Sequence, residues 1–310
     1  MTALRRPPDV VIPARPDDPR LGHMLGRALS VSMPARVALV GFPVDEGVRR
    51  NGGRVGAAGG PSAIRRQLYR LTPDPRNGEA FVDLVEHTTD LGDVVPTGDL
   101  EKDQQVLGEV VAELLRAGTI PIILGGGHET AYGHFLGHVA AGRSVAIVNW
   151  DAHPDVRPTL EGKGHAGSPF RQALEHGPEI CRGYSVLGLN PHAVARAHLD
   201  WMRSNRGFFR FRDEVDRDRV VEAYGGGDGD LMASFDLDAV DGAAAPGVSA
   251  PATPGLSVDL WLRAAFEAGR SNRVRSMDLV ELIPALDQDD RTARLAAVTV
   301  WEFLRGLCAR

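Results

Sequence analysis

Cysteine is nearly absent: Cys181 and Cys308 stand far apart with no C-x-x-C spacing, so a disulfide framework is excluded and reduced thiols are expected. Long apolar runs are missing as well, none approaching the ~20 residues that a membrane span requires. The first twenty residues, MTALRRPPDVVIPARPDDPR, carry prolines and charges where a signal peptide has an apolar core. A cytoplasmic protein is the expectation. Basic charge is in deficit too, 35 Lys and Arg against 41 Asp and Glu for a net charge of -6, which argues against nucleic acid as a partner. No internal repeat or coiled-coil heptad is visible.

What the chain does have is ordinary globular composition, 43% hydrophobic and 25% charged, over 310 residues, enough for a large core. Apolar strands alternate with amphipathic segments without a linker-like break. The expectation is one α/β domain over residues 36–310, preceded by a Pro- and Arg-rich arm over 1–35. Strands are expected at Arg36 to Phe42, weakly near Val82 to Leu84, and at Thr119 to Leu124, Val145 to Asn149, Tyr184 to Leu189, Phe208 to Phe211, Leu231 to Phe235 and Val274 to Val280. Helices fall between them. Pro61 suits the first turn of one, Asp99 caps another that Gly118 stops, and Ser257 caps a third. A glycine-rich loop, Pro43 to Gly60, follows the first strand. Repeated βα units imply an open, mainly parallel sheet with helices on both faces.

The stretch VAIVNWDAHPD, Val145 to Asp155, organises the rest. A buried strand feeds Asp151, His153 and Asp155, which in an extended chain would point to one side. Two other strands end in the same kind of residue, His128 after Thr119 to Leu124, and Asp236 with Asp238 after Leu231 to Phe235. Ligands of parallel sheets bind beyond the carboxyl ends of the strands, so all three sets share one rim. Four carboxylates and two imidazoles are too many for one first-row ion and suit two divalent ions about 3.5–4 Å apart. Oxygen-rich donors favour Mn2+ over Zn2+. Such a pair lowers the pKa of a shared water towards ~7, and the chemistry expected is metal-assisted hydrolysis.

GGGHE (125–129), DAHPD (151–155) and SFDLDAVD (234–241) resemble, in order and spacing, the signature segments of the ureohydrolases, a family that includes arginase, agmatinase and formimidoylglutamase. The resemblance implies a three-layer αβα fold, two Mn2+ per subunit and an oligomer. It implies one ion held by His128, Asp151, Asp155 and Asp236, and a second held by Asp151, His153, Asp236 and Asp238. It also places Glu281 against the amidine of the substrate. From their expected place at the rim, Asp238 or Asp155 is expected to carry the proton from the hydroxide to the departing nitrogen. DEGVRRNGGRVGAAGGPSAIR (45–65), GSPFRQ (167–172) and APGVSAP (245–251) look most like formimidoylglutamase, whose reaction gives L-glutamate and formamide in histidine degradation. That substrate carries two carboxylates, and arginine forks bind carboxylates. Arg49, Arg50 and Arg54 are the expected substrate partners, with Arg157 and Arg171 on neighbouring loops. One departure concerns the loop HAGSP, where many family members have a histidine at the place of Ala166. Either His165 reaches in or that role is absent. The alternatives are an agmatinase or another guanidino-acid hydrolase, and a metal-binding homologue without turnover.

Overall fold

The computed structural model describes residues 4–7, 9–13, 17–27 and 35–310. Its strands are β1 (Leu4–Arg5), β2 (Gly26–Arg27), β3 (Val37–Phe42), β4 (Thr88–Val94) and β5 (Ile120–Gly125), then β6 (Val145–Trp150), β7 (Cys181–Leu189), β8 (Gly207–Phe211), β9 (Asp230–Asp236) and β10 (Val274–Val280). The helices are α1 (Leu21–Met24), α2 (Glu46–Arg50), α3 (Gly60–Leu68), α4 (Gly78–Glu86), α5 (Leu100–Arg116) and α6 (Thr130–Ala140). They continue with α7 (Pro169–Glu175), α8 (Arg196–Ser204), α9 (Arg217–Gly225), α10 (Val258–Arg270) and α11 (Arg291–Leu307).

Strand alternation builds the layers. Along β3, Val37 and Leu39 join a cluster with Ile64 of α3, Phe81 of α4, Trp261 of α10 and Phe303 of α11. Ala38, Val40 and Phe42 point the other way, onto Leu107 and Leu114 of α5. Further along that second face, Ile147 and Met232 pack with Phe135 of α6, Phe170 of α7 and Met202 of α8. Both faces of the sheet are therefore largely apolar, which is why β3 and β5 read as hydrophobic runs. The result is the three-layer αβα arrangement.

Strand order is β1-β4-β3-β5-β10-β9-β6-β7-β8, with β2 also on β4. Among the described residues every pairing is parallel except β1 with β4. The described parts of the arm thus lie on the β4 edge of the body. Because β5, β10, β9 and β6 are neighbours running the same way, their carboxyl ends open on one rim.

Local signals hold at the helix ends. The Asp99 side chain accepts from the Lys102 N–H and caps α5, the Ser257 hydroxyl does the same for α10, and Pro61 sits in the first turn of α3. Two expectations change. Residues Val82 to Leu84 lie inside α4, and the strand is β4, starting at Thr88. The loop after β3 contains a short helix, α2.

Candidate metal centre

The turn after β5 has no room for a side chain at Gly126, where a Cβ would stand 1.9 Å from the carbonyl oxygen of Val44. That approach lets the Gly127 N–H reach the Val44 carbonyl at 2.9 Å, while the Gly126 carbonyl accepts from the Glu281 N–H at 2.8 Å. His128 then points inward from the turn. Its Nδ1 lies 3.2 Å from Asp151 Oδ2, 3.0 Å from Asp155 Oδ2 and 3.0 Å from Asp236 Oδ2. His153 Nδ1 lies 3.0 Å from Asp238 Oδ2 and 3.5 Å from Asp151 Oδ1.

Two ligand groups follow, His128 with Asp151, Asp155 and Asp236, and Asp151 with His153 and Asp238. Asp151 belongs to both, offering one oxygen to each imidazole. Asp236, expected in both, is brought into the first group alone. Its Oδ1 accepts the Asp238 N–H at 2.8 Å. The six side chains expected from the sequence do converge. The route differs for Asp155: the chain leaves β6 at Trp150, and Asp155 adopts a φ of 44°, so a turn and not an extended strand delivers it.

Electrostatics in this cage are extreme. Burial raises Asp236 well above the usual carboxylate range, helped by Asp238 and Asp151. Burial likewise raises Asp238. Burial opposes ionisation of Asp151 too, yet the His128 and His153 imidazoles hold it low. Asp238 pushes His153 up to about 12, and the three carboxylates around His128 raise it against burial. Glu281, with a φ of 71°, accepts the His128 N–H at 2.8 Å; burial and then the Glu129 carboxyl push it up to about 8. Crowded acids interleaved with imidazoles form a donor set that suits a cation. With Asp151, Asp155, Asp236 and Asp238 all ionised, four negative charges would face one another, a donor set that fits divalent cations with the imidazoles as neutral ligands. His128 Nδ1 supports that fit, being buried, turned to three carboxylates and without a hydrogen-bond partner among the described residues.

A cavity of 190 Å³ opens above the cage, lined in part by His153, Asp155, Arg157, Asp238 and Glu281, and by Asn51, Gly52, Gly53, His198 and Ser249. The other expected arginines do not reach it. Arg49 pairs with Glu46 on the surface. Arg50 is tied to Glu46, Glu101 and the Gly164 carbonyl. Arg54 donates to the carbonyls of Ser249 and Val248, and Arg171 pairs with Glu175 over the Trp201 ring. Each of these guanidiniums is turned to a partner away from the cavity wall. His165 does not reach in either: its Nε2 meets the Pro158 carbonyl at 3.0 Å and its Nδ1 accepts from the Gly167 N–H. Arg157 remains, 3.0 Å from Asn51 Oδ1.

Sequence reading passed over the supports. Asn149 donates to Asp151 Oδ2 at 3.0 Å and to the Tyr184 hydroxyl at 3.1 Å, and that hydroxyl donates to the Pro154 carbonyl. Phe170 stacks on Tyr184 and meets the His128 ring edge-on. A lone polar residue within an apolar strand, as in VAIVNW, was the available signal.

Known proteins place this arrangement. The formimidoylglutamase of Chromobacterium violaceum is 36% identical over 299 residues, 92% of each chain. That of Aromatoleum aromaticum is 39% identical over 311 residues, 93% of this chain and 88% of the other. The solved Trypanosoma cruzi formiminoglutamase with Mn2+ superposes with a TM-score of 0.84 at 31% identity, over 95% of this chain and 100% of that one. The sequence profile of the Arginase family matches residues 35–306, and with these relatives over most of its length this chain belongs to the arginase family.

Proposed function

We propose that the chain hydrolyses N-formimidoyl-L-glutamate to L-glutamate and formamide, with two Mn2+ per subunit held by His128, Asp151, His153, Asp155, Asp236 and Asp238. The observation that carries this reading is the joining of that cage to a cavity whose wall holds Arg157. Similarity to formimidoylglutamases over nine-tenths of the chain supports it. When bound, the cations supply a polarised water with a lowered pKa and a field that stabilises the anionic transition state.

The remaining work falls to the protein. Arg157, positioned by Asn51, offers a guanidinium fork to a substrate carboxylate. This role replaces the one expected for Arg49, Arg50 and Arg54. Glu281, anchored by the His128 N–H at the cavity edge, faces the formimidoyl nitrogens and favours their cationic form. Asp238 or Asp155, both lining the cavity, takes a proton from the attacking water and delivers it to the departing α-nitrogen. Water adds to the formimidoyl carbon, the bond from that carbon to the α-nitrogen breaks, and formamide and the amino acid leave. Residues 36–310 form the catalytic domain in this reading.

Loading the purified chain with Mn2+ and assaying N-formimidoyl-L-glutamate, agmatine and guanidinobutyrate tests it. Formamide release from the first substrate is the expected result. Urea release from a guanidino substrate, with no formamide, would mean a different member of the family.

A further inference from the structure

Behind the cage lies a polar chain that the reaction does not use. Ser234 of β9 and Asp278 of β10 are direct cross-strand partners, so their side chains share the sheet face that α6 covers. Both are fully buried, as is His134 of α6. His128 Nε2 lies 3.1 Å from Ser234 Oγ, Ser234 Oγ donates to Asp278 Oδ1 at 2.6 Å, and Asp278 Oδ2 meets His134 Nδ1 at 2.7 Å. Replacing such a pair by apolar residues is often neutral or stabilising, so stability alone gives little reason to bury it.

The direction of each bond is fixed by counting hydrogens. A carboxylate has none to give, so both Ser234 and His134 donate to Asp278. Ser234 has a single hydroxyl hydrogen and has spent it. Its oxygen can therefore only accept from His128, which places the imidazole proton on Nε2 and the lone pair on Nδ1. Nδ1 is the atom turned to Asp151, Asp155 and Asp236.

We propose that Asp278, oriented by His134, is a positioning residue that sets the tautomer of His128 through the Ser234 hydroxyl and so prepares Nδ1 to ligate a cation. The relay rests on the metal reading given above. Partners behind a ligating histidine fix ring orientation and tautomer, and losing them typically lowers metal affinity about 10–100-fold.

A double-substitution cycle read by calorimetric Mn2+ titration tests it. In Asp278→Leu the Ser234 hydroxyl turns to donate to His128 Nε2, which forces the proton onto Nδ1. One of the two binding steps should weaken by about 10–100-fold, with the other little changed. In Ser234→Ala the ring loses its fixed tautomer, and the same step should weaken less. The Asp278→Leu/Ser234→Ala pair should then bind like Ser234→Ala, because no hydroxyl of wrong polarity remains. Additive losses, or an equal weakening of both steps, would mean that Asp278 only packs α6 against β10 and would overturn the proposal. If Asp278→Leu does not fold, Ser234→Ala alone decides, and an unchanged titration overturns the relay. A wild-type chain that takes up no Mn2+ sinks the metal reading itself, and the relay with it.

Discussion

Arg157 and Arg49 show how little an arginine's place in the sequence says about its use. Both follow buried strands at the same rim. Arg49 has Glu46 three residues before it on α2 and folds back onto that carboxylate, whereas the Arg157 guanidinium, among the described residues, bonds the neutral Asn51 and lines the cavity. A guanidinium already paired gains little from a second carboxylate, and one held by an amide keeps its charge for the ligand. Arg157→Ala should therefore raise KM for formimidoylglutamate by roughly 10–100-fold, the loss of charge-assisted hydrogen bonds worth about 1.5–3 kcal/mol, with a smaller effect on kcat. Arg49→Ala should leave KM within about twofold, since exposed pairs are worth about 0–1 kcal/mol. Steady-state kinetics on the Mn2+-loaded variants reads both, and an unchanged KM in Arg157→Ala would falsify the carboxylate assignment. The cage residues were legible because each sits within a few residues of a strand end, where the sheet fixes direction. The arginines were not, because rotamers of long side chains on loops are decided by partners such as Glu46, Glu101 and the Ser249 carbonyl, which come from other parts of the chain.

At the scale of elements, the misread strand and the turn after β5 share one lesson, that backbone contacts override local composition. FVDLV reads as β-prone, yet Phe81, Leu84 and Val85 are the buried positions, an i, i+3, i+4 stripe that faces the core from a helix. Three residues were too short a window to separate the two periods. Strands β3 and β5 were legible because both of their faces are covered, so no charged residue interrupts the apolar run until the chemistry begins. The turn after β5 depends on Gly126 in the same way. A methyl group there meets the Val44 backbone, which cannot swing aside as a side chain could. Gly126→Ala should push β5 from the loop after β3, costing about 1–3 kcal/mol of overpacking and displacing His128. Gly226→Ala is the control, at a negative φ with open space around it. Thermal melts and Mn2+ titration should show losses in the first variant and wild-type behaviour in the second. Equal behaviour of the two would mean that the turn tolerates a side chain.

Taken whole, the molecule buries ionisable groups on both sides of the sheet, and its acid stability should follow in part from those that resist protonation, such as His138 of α6. His138 of α6 is fully buried beside Ser276, with its Nε2 2.8 Å from the hydroxyl. Burial, then the neighbouring His134 and Arg143, keep its pKa well below the ordinary 6.5. The groups facing it from β10 and its own helix add no carboxylate contact that would hold a proton there, since Asp278 is engaged by His134 and Ser234. When the folded pKa is the lower one, the unfolded chain binds the proton first, and stability rises with pH through the interval between the two values. His138 therefore costs nothing above about pH 7.5 and draws stability down steadily as pH falls below 6.5, by up to about 1.4 kcal/mol per pH unit. His138→Gln keeps a hydrogen-bonding group near Ser276 but has no proton to gain. Urea unfolding of both proteins in saturating Mn2+ from pH 8 to 5 isolates this group, because the metal ligands and all other acids are common to the pair. The wild type should lose stability relative to the variant only below pH 6.5, and a pH-independent difference would show that His138 takes up its proton in the folded chain as readily as in the unfolded one.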